Sequence, residues 1–337
     1  MNEVDVLDRI VGRIREGQSF LVSSHVRLDG DAVASMLAVD LLLHSLDKQS
    51  FLLTDGPIPE VFRFLRAAER VVNLEETPDV QPPEHVDTVV LLDVADRSRL
   101  GAVRKLIPTD AFTISIDHHR TGDLRADLDW CDPDVSSTGE LIYQLFRRGE
   151  FDITPEVATN IYTALMSDTQ RFSLPNTTAE ALRIAAEMVE HGADAGHIGD
   201  RVYRSHRPGQ LALWGEVASS VRLDPDGKLA WTSLTEYMLT KHGVHPDDTQ
   251  DFADIARMLI GVEVGVLFRE RAGGGVRVSF RSNHIPVVGV AERFGGGGHE
   301  LACGCELDGT LEEVQKEVLD AVRELLAEAA AAKGEAK

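Results

Sequence analysis

A short apolar segment and the polar turn that follows it decide the fold: SFLVSSHVRLDGDA, residues 19–32. Its first six residues predict a strand, and the pattern from Gly30 to Leu46 predicts a helix directly after the turn. Two continuous apolar runs, DTVVLL at 87–92 and AFTISI at 111–116, are typical of buried parallel strands. Strands and helices therefore alternate along the first half of the chain. This alternation predicts an α/β fold with a doubly wound parallel sheet and helices on both faces.

The remaining patterns divide the chain into two domains. In the first half, further helices are predicted at 4–15, 59–67, 136–147 and 155–166, and a further strand at 50–53. The second half is smaller and mixed α/β, with strands predicted at 229–233, 262–269 and 276–281 and helices at 287–294 and 311–327. We therefore expect a first domain that carries the site at 1–185, a helical linker at 186–220, a second domain at 221–330 and a frayed tail at 331–337.

The charge balance limits the partners of the protein. The 337 residues include 34 Lys and Arg against 56 Asp and Glu, which gives a formal net charge of −22. Such a surface repels long duplex nucleic acid, because proteins bind it by neutralising many phosphates with basic side chains. An anionic substrate must then be met locally, by metal ions or by a few arginines. The sequence also predicts no membrane span, no signal peptide and no disulfide framework, so we expect a cytoplasmic protein without a membrane partner.

Carboxylates and histidines recur at or just beyond the ends of the predicted elements. They are His25, Asp29, Asp31, Asp93, Asp117, His118, His119 and Asp168. A single aspartate at such a position is typical of a helix N-cap, and Asp29 or Asp31 alone would have that role. Most of these residues, however, lie at the carboxyl ends of predicted parallel strands, where open α/β sheets bind ligands. Their recurrence there predicts a metal site.

The types of ligand indicate the metal. Several carboxylates with two imidazoles favour Mn²⁺ or Mg²⁺, with Co²⁺ as a further candidate, over a zinc site built from thiolates. Cys303 and Cys305 are too closely spaced for a zinc site and have no second cysteine pair. We expect them to be small apolar residues within a strand.

Four ordered motifs make the chain resemble the DHH phosphoesterases. They are SHVRLDGDA at 24–32, Asp93 followed by DRSRLG, the Asp-His-His at 117–119, and Asp168 in SDTQRF. The first motif has Leu28 where the family has proline, at a position that carries no ligand. FRSN at 280–283 and FGGGGHELACG at 294–304 resemble the DHH-associated C-terminal domain. The resemblance covers nearly the whole chain and implies the branch of oligoribonucleases (nanoRNases) and 3′-phosphoadenosine 5′-phosphate phosphatases.

The resemblance also implies an active site with two Mn²⁺ ions. His25, Asp29 and Asp93 would hold one ion, and Asp31, Asp93, His118 and Asp168 would hold the other, so that Asp93 bridges the pair. His119 would face the substrate phosphate and not a metal. Asp93 and His119 are therefore the expected catalytic residues. Two adjacent cations can activate one water and neutralise the charge that develops on the phosphate oxygens.

A run of four glycines, Gly295–Gly298, is followed by His299 and has two interpretations. It forms a flexible loop, or its backbone N–H groups approach a phosphate, which the absence of side chains allows. Arg281 would similarly form a surface ion pair, bind phosphate or stack on a base. The resemblance favours the second interpretation and implies a substrate-binding set across the cleft between the domains: Arg281, Ser282, Gly295, Gly296, Gly297, Gly298 and His299.

Several functions are compatible with these motifs. We expect a metal-dependent phosphoesterase that hydrolyses very short oligoribonucleotides, 3′-phosphoadenosine 5′-phosphate or both. A phosphodiesterase for linear or cyclic dinucleotides is the alternative. A pyrophosphatase would bind phosphate through a basic cluster, a long-strand exonuclease would need an added strand-binding domain, and a non-catalytic nucleotide sensor would need a missing ligand. The sequence leaves the cleavage polarity and the oligomeric state open, and a homodimer is compatible with it.

Overall fold

The chain forms two compact units, Met1–Ser205 and His206–Lys337. The computed structural model describes residues 3–120 and 122–335. The boundary between the units lies within 186–220, the segment predicted as a linker. Within the described ranges, no helix combines the length and the apolar character needed to cross a membrane.

A six-stranded, fully parallel sheet forms the centre of the first unit. Its strands are β1 (Ser19–Ser23), β2 (Gln49–Thr54), β3 (Val72–Asn73), β4 (Thr88–Leu92), β5 (Phe112–Asp117) and β6 (Leu128–Cys131). They lie in the order β3-β2-β1-β4-β5-β6, and every neighbouring pair is parallel. The chain therefore winds outward in one direction from β1 and in the other from β4, which confirms the predicted doubly wound sheet. The strand order reverses between these two central strands.

The two faces of this sheet are covered differently. Its helices are α1 (Glu3–Glu16), α2 (Gly30–Ser45), α3 (Thr138–Arg148), α4 (Pro155–Asp168), α5 (Ala179–Glu190) and α6 (Ala195–Tyr203). All six pack into one core cluster with alternate strand residues such as Phe20 and Val90. Residues of the opposite parity, such as Leu21 and Val89, pack instead against a 3₁₀ helix at Arg97–Lys105. The second face is thus covered by a 3₁₀ helix where we predicted α-helices.

The helix predicted at 59–67 is wrong. One 3₁₀ turn spans Glu60–Phe62 and another spans Ala68–Arg70. Between them, Ala67 has a φ of 74°, in the left-handed region, which is incompatible with a continuous helix. Phe62 and Leu65 are buried, so their spacing of three residues reflects contact with the core. The apolar residues of this segment therefore have helical spacing in the sequence, but tight turns rather than a helix bring them to the core.

A mixed sheet forms the centre of the second unit. Its strands are β7 (Arg222–Leu223), β8 (Leu229–Leu234), β9 (Val264–Glu270), β10 (Val276–Ser282), β11 (Gly297–His299) and β12 (Ala302–Leu307), in the order β11-β12-β10-β9-β8-β7. The pair β8–β9 is parallel, and the other pairs are antiparallel. This arrangement confirms the predicted smaller α/β domain.

Helices pack on both faces of the second sheet. They are α7 (Pro208–Ser219), α8 (Glu236–His242), α9 (Val288–Arg293) and α10 (Leu311–Glu335). Phe268 and Phe280 pack with α10 on one face, where Cys303 and Cys305 are also buried as apolar residues of β12. Leu267 packs with α7 on the other face. Helix α10 continues to Glu335, and residues 336–337 of the predicted tail lie outside the described residues.

Candidate metal centre

The predicted metal ligands meet at the carboxyl edge of the first sheet, where the strand order reverses. His25 lies two residues beyond the end of β1, and Asp93 directly follows β4. The neighbouring strand β5 ends at Asp117 and is followed by His118. Asp168 is the last residue of α4. Ligand sites of doubly wound sheets form at this place, because the loops diverge there and leave a crevice.

A first group of ligand atoms comes from His25, Asp29 and Asp93. The Nε2 atom of His25 lies 3.7 Å from Oδ2 of Asp29 and 3.4 Å from Oδ2 of Asp93. The Nδ1 atom of His25 lies 2.8 Å from the carbonyl oxygen of Val26, to which it can donate. When the ring is neutral, that hydrogen bond keeps the proton on Nδ1 and leaves the Nε2 lone pair for a cation, as in metal-ligating histidines.

Asp29 has both of the roles that the sequence allowed. Its Oδ1 accepts a hydrogen bond from the backbone N–H of Ala32 at 3.0 Å and caps α2. Its Oδ2 is the oxygen that faces His25. The N-cap therefore holds the carboxylate in place while one oxygen stays directed at the first group.

A second group of ligand atoms surrounds His118. Asp31 and Asp168 form a compact set with it, and Asp93 forms another with His118 and His119. The Nε2 atom of His118 lies 3.9 Å from Oδ2 of Asp31, 3.5 Å from Oδ1 of Asp93 and 3.8 Å from Oδ2 of Asp168. Asp93 thus directs Oδ2 at the first group and Oδ1 at the second. The structure brings together both ligand sets that the resemblance implied.

His119 lies within reach of Asp93 and His118 and is also engaged by another carboxylate. Its Nδ1 lies 2.6 Å from Oδ1 of Asp117 and 3.8 Å from Oδ1 of Asp93. The same Asp117 oxygen accepts a hydrogen bond from the backbone N–H of His118 at 2.8 Å. Asp117 therefore orients both histidines that follow it. Its part in the site was not assigned from the sequence.

His25 and His119 both have raised pKa values. Burial by itself would lower the pKa of His25, but Asp29 and Asp93 outweigh that effect and raise the pKa to about 9. Burial likewise opposes the charged form of His119, yet Asp117 and Asp93 raise its pKa to about 9. Both rings are therefore protonated at neutral pH in the absence of a bound cation.

The carboxylates crowd one another in a buried site. Burial and the charge of Asp93 raise the pKa of Asp31 and that of Asp168 well above the usual range. Burial also opposes the charge of Asp93, but the surrounding histidines hold its pKa below the usual range. At Asp31 and Asp168 the neighbouring histidines offset burial and repulsion only in part, and a divalent cation would supply the remaining positive charge. The donor set therefore fits hard or borderline divalent cations.

Gly30, between the two aspartates of the first motif, allows α2 to reach α4. A Cβ atom added at Gly30 would lie 2.0 Å from Oγ of Ser167 and 2.7 Å from the ring of Phe62. The residue after Ser167 is the ligand Asp168. Glycine at position 30 therefore permits the close approach that brings Asp31 and Asp168 to one group.

Four residues that the sequence analysis did not single out contact the ligands. They are Ser35, Thr138, Gly139 and Asn176, which donate hydrogen bonds to Asp31, Asp93 or Asp168. Thr138 and Asp31 lie 107 residues apart in the chain. Their pairing depends on the fold and leaves no local signal in the sequence.

In the second unit, Arg281 forms a partly buried ion pair. It is the penultimate residue of β10, and its Nη1 donates to the carbonyl oxygen of Phe280 at 2.9 Å. Its Nε lies 3.8 Å from Oδ1 of Asp254, an oxygen that also accepts from Nε of Arg257 at 2.5 Å. The ion pair was one of the interpretations open from the sequence.

The hydroxyl of Ser282 is engaged within the second unit. The side chain is buried, and Oγ donates to the carbonyl oxygen of Glu263 at 3.2 Å and accepts from the backbone N–H of Ile285 at 3.0 Å. These bonds give Ser282 a role in the turn after β10. Its contact with substrate stays a prediction.

The glycine run is partly a strand. Gly297 and Gly298 belong to β11, which pairs with β12. A Cβ atom at Gly296 would lie 2.1 Å from the carbonyl oxygen of Gly304, and Gly298 has a φ of 136°. Close packing on β12 therefore explains at least these two glycines without a ligand. The side chain of His299 lies outside what the structure describes.

Residues 19–167 match the model of the DHH family, N-terminal domain, and residues 229–328 match the DHHA1 domain. The chain is 34% identical over 310 residues to a "Bifunctional oligoribonuclease and PAP phosphatase NrnA" of Thermus thermophilus, an alignment that covers 91% of this chain and 90% of that protein. The chain belongs to the DHH family. Both the family and the branch predicted from its motifs are thereby confirmed.

Two further similarities extend over most of this DHH protein. It is 27% identical over 292 residues to the NrnA protein of the same description from Bacillus subtilis, which covers 86% of this chain and 89% of that one. The crystal structure of an exopolyphosphatase-related protein from Bacteroides fragilis superposes with a TM-score of 0.86 at 26% identity and covers 96% of both chains. The observed α/β architecture is therefore that of a DHH-family structure.

Proposed function

We propose that this DHH-family protein is a metal-dependent phosphoesterase that hydrolyses very short oligoribonucleotides and 3′-phosphoadenosine 5′-phosphate. One observation carries the proposal: adjacent groups of potential metal ligands meet at Asp93 and His118, in a chain similar along nearly its whole length to a protein described as an oligoribonuclease and PAP phosphatase. A dinucleotide phosphodiesterase is the competing activity, and no feature of the site favours it.

Each ligand group would hold one divalent cation. His25, Asp29 and Asp93 form the first group, and Asp31, Asp93, His118 and Asp168 form the second. Bound there, divalent cations supply a nucleophilic water at neutral pH and offset the negative charge of phosphate oxygens. We propose Mn²⁺ as the ion in use, with Mg²⁺ or Co²⁺ as substitutes, because carboxylate and imidazole donors accept all three.

His119 is proposed to hold a phosphate oxygen of the substrate. We propose that its ring stays protonated on both nitrogens when cations are bound, because burial is outweighed by the adjacent Asp117 carboxylate, which raises its pKa. The Nδ1 proton is donated to Asp117 over 2.6 Å, which fixes the plane of the ring. The Nε2 proton is then proposed to form a charge-assisted hydrogen bond to the phosphate. Asp117 acts through His119 and is a positioning residue.

The second unit is proposed to bind the nucleotide and its terminal phosphate. The proposed contacts are Arg281, Ser282, Gly295, Gly296, Gly297, Gly298 and His299. Support comes from Arg281 and Arg257, whose guanidinium groups share the carboxylate of Asp254 in a chain of net charge −22. A local concentration of positive charge is what a short polyanion requires of an acidic protein.

Several finer points belong to the same proposal. The domain limits at 1–185, 186–220 and 221–330 are proposed from the sequence pattern. Of the frayed end predicted at 331–337, residues 331–335 belong instead to α10. We also propose that the enzyme acts in the cytoplasm, where short RNA fragments and nucleotides arise, and that it forms a homodimer.

A side-by-side turnover assay tests the proposed activity. The substrates are 3′-phosphoadenosine 5′-phosphate, pApA, cyclic di-AMP, pyrophosphate and a longer oligoribonucleotide, each with and without Mn²⁺. We expect Mn²⁺-dependent hydrolysis of the first two at rates well above the others. Turnover of pApA or cyclic di-AMP without turnover of 3′-phosphoadenosine 5′-phosphate would support the dinucleotide phosphodiesterase instead. No Mn²⁺-dependent turnover of any substrate would refute the enzyme.

A further inference from the structure

The first turn of α3 contacts the carboxylate ligands of the second group. The backbone N–H groups of Thr138 and Gly139 donate to Oδ2 and Oδ1 of Asp31 at 2.7 and 2.9 Å. The hydroxyl of Thr138 donates to Oδ1 of Asp93 at 3.0 Å. One residue, Thr138, therefore touches a ligand of the second group with its backbone and the shared ligand with its side chain.

The third carboxylate of the second group is tied to the same turn. Nδ2 of Asn176 donates to the carbonyl oxygen of Ser136 at 2.9 Å and lies 3.3 Å from Oδ2 of Asp168. Asn176 thus connects the residue before the N-cap of α3 with Asp168. Two of the three carboxylates near His118 therefore bond directly to this segment, and Asp168 is linked to it through Asn176.

This segment is itself firmly held. Oγ of Ser137 caps α3 by accepting from the backbone N–H of Glu140. The carboxylate of Glu140 accepts from Oγ and from the backbone N–H of Ser136 at 2.6 and 3.0 Å. Ser136, Ser137 and Thr138 have no exposed surface, and Glu140 is 3% exposed. A buried and fully bonded helix start is a rigid support for the ligands it contacts.

The Thr138 hydroxyl donates its hydrogen bond to Oδ1 of Asp93, which is the oxygen directed at the second group. Oδ1 of Asp93 is the atom 3.5 Å from His118, whereas Oδ2 faces His25 at 3.4 Å. A carboxylate without this hydrogen bond can rotate about its last side-chain bond, where the energy minima are broad. The Thr138 hydroxyl therefore keeps Oδ1 of Asp93 directed at the second group and Oδ2 directed at the first.

We propose that Thr138 is a positioning residue, whose hydroxyl orients the shared carboxylate of Asp93 so that the second ligand group binds its cation tightly. The inference rests on the proposed two-cation centre and deepens it. Thr138 needs no contact with the substrate or with a cation to act in this way.

Mn²⁺ binding to the cation-free full-length protein tests the proposal without measuring activity. Free Mn²⁺ is followed by electron paramagnetic resonance during titration. We expect two bound Mn²⁺ in the wild type. Thr138→Val keeps the side-chain shape and both backbone donors but loses the hydroxyl. It should lower the affinity for one of the two Mn²⁺ ions about 10- to 100-fold, as changes around metal ligands do. The affinity for the other ion should stay within about threefold of the wild-type value. Thr138→Ser should restore both affinities.

Ser137→Ala provides the matched control. It removes the neighbouring hydroxyl and the helix cap, but it removes no hydrogen bond to a ligand. We expect a lower midpoint of thermal unfolding with both Mn²⁺ affinities unchanged. If Thr138→Val does not fold, Thr138→Ala takes its place with the same expected result.

Three outcomes overturn the assignment of Thr138. In the first, Thr138→Val or Thr138→Ala binds both Mn²⁺ ions with wild-type affinity. In the second, Ser137→Ala weakens Mn²⁺ binding as much as Thr138→Val does. In the third, Thr138→Ser does not restore the Mn²⁺ affinity that Thr138→Val loses. Fewer than two Mn²⁺ in the wild type would instead refute the proposed centre, so failure of the inference and failure of the proposed function are distinguishable.

Discussion

Replacing Asp93 by asparagine should empty the first ligand group while leaving the fold intact. The residue has a φ of 55°, in the left-handed region that asparagine adopts about as readily as aspartate. Alanine at this position would add backbone strain of about 1–2 kcal/mol and confuse the result. Asparagine keeps the size of the side chain and removes only the charge and one oxygen.

The structure predicts how the new amide turns. Thr138 donates to Oδ1 of Asp93 at 3.0 Å, so the amide oxygen should occupy that position and accept the same hydrogen bond. The NH₂ group then lies where Oδ2 now faces Nε2 of His25 at 3.4 Å. An NH₂ group cannot bind a cation, so the group of His25 and Asp29 loses its shared ligand. Removing one partner of a buried charge pair costs about 3–5 kcal/mol, or about 100- to 5,000-fold in affinity.

Calorimetric titration with Mn²⁺ and turnover of pApA measure this prediction. We expect one retained Mn²⁺, one lost or strongly weakened, and a kcat at saturating Mn²⁺ below about a tenth of the wild-type value, where each lost decade is about 1.4 kcal/mol. The far-ultraviolet circular dichroism and the cooperativity of unfolding should be those of the wild type. A folded variant with two wild-type affinities, or with more than a tenth of the turnover, would contradict the bridging role of Asp93.

Three further predictions concern the other groups of the site. His119→Ala should keep both Mn²⁺ ions by elemental analysis. Its kcat/KM on pApA should fall about 10- to 100-fold, because one charge-assisted contact to the phosphate is lost. A missing Mn²⁺ ion would instead show that His119 is a metal ligand. Arg281→Ala should lose a similar factor on pApA and almost nothing on bis(p-nitrophenyl) phosphate, and equal losses on both substrates would show that Arg281 does not act in recognition. His25 has a pKa of about 9 without cation and must be deprotonated to bind one, so Mn²⁺ affinity should rise from pH 6 to about pH 9. Calorimetry at pH 7 in two buffers of different ionisation enthalpy should detect release of at least one proton, and release of none would contradict the raised pKa.

The sheet and the ligands could be predicted because their signals are local. An apolar run such as DTVVLL can form a buried parallel strand in almost any setting, and β4 lies at 88–92 within the predicted 87–92. The ligands then follow from topology, since parallel strands bring their carboxyl ends to one edge. Asp93 was recognisable because it directly follows such a run.

The missed features depend on distant contacts. Strand β6 is four residues long and alternates buried with exposed side chains, which is too short a pattern to separate from a loop. The support that α3 gives to the ligands comes largely from backbone N–H groups, which are the same for every residue except proline. The helix predicted at 59–67 failed for the opposite reason, because Phe62 and Leu65 have a helical spacing that the core satisfies with turns.

The two tight glycines of the metal centre have a consequence for reading sequence variation among relatives. A Cβ atom at Gly139 would lie 2.3 Å from Cβ of Ala164, and one at Gly30 would lie 2.0 Å from Oγ of Ser167. Neither glycine has a side chain that could take part in chemistry. A relative that retains every histidine and aspartate but has a larger residue at either position would still look like an enzyme when judged by its motifs. Its helices could not approach in the same way, so such a chain is a candidate for a pseudoenzyme that motif searches would count as active.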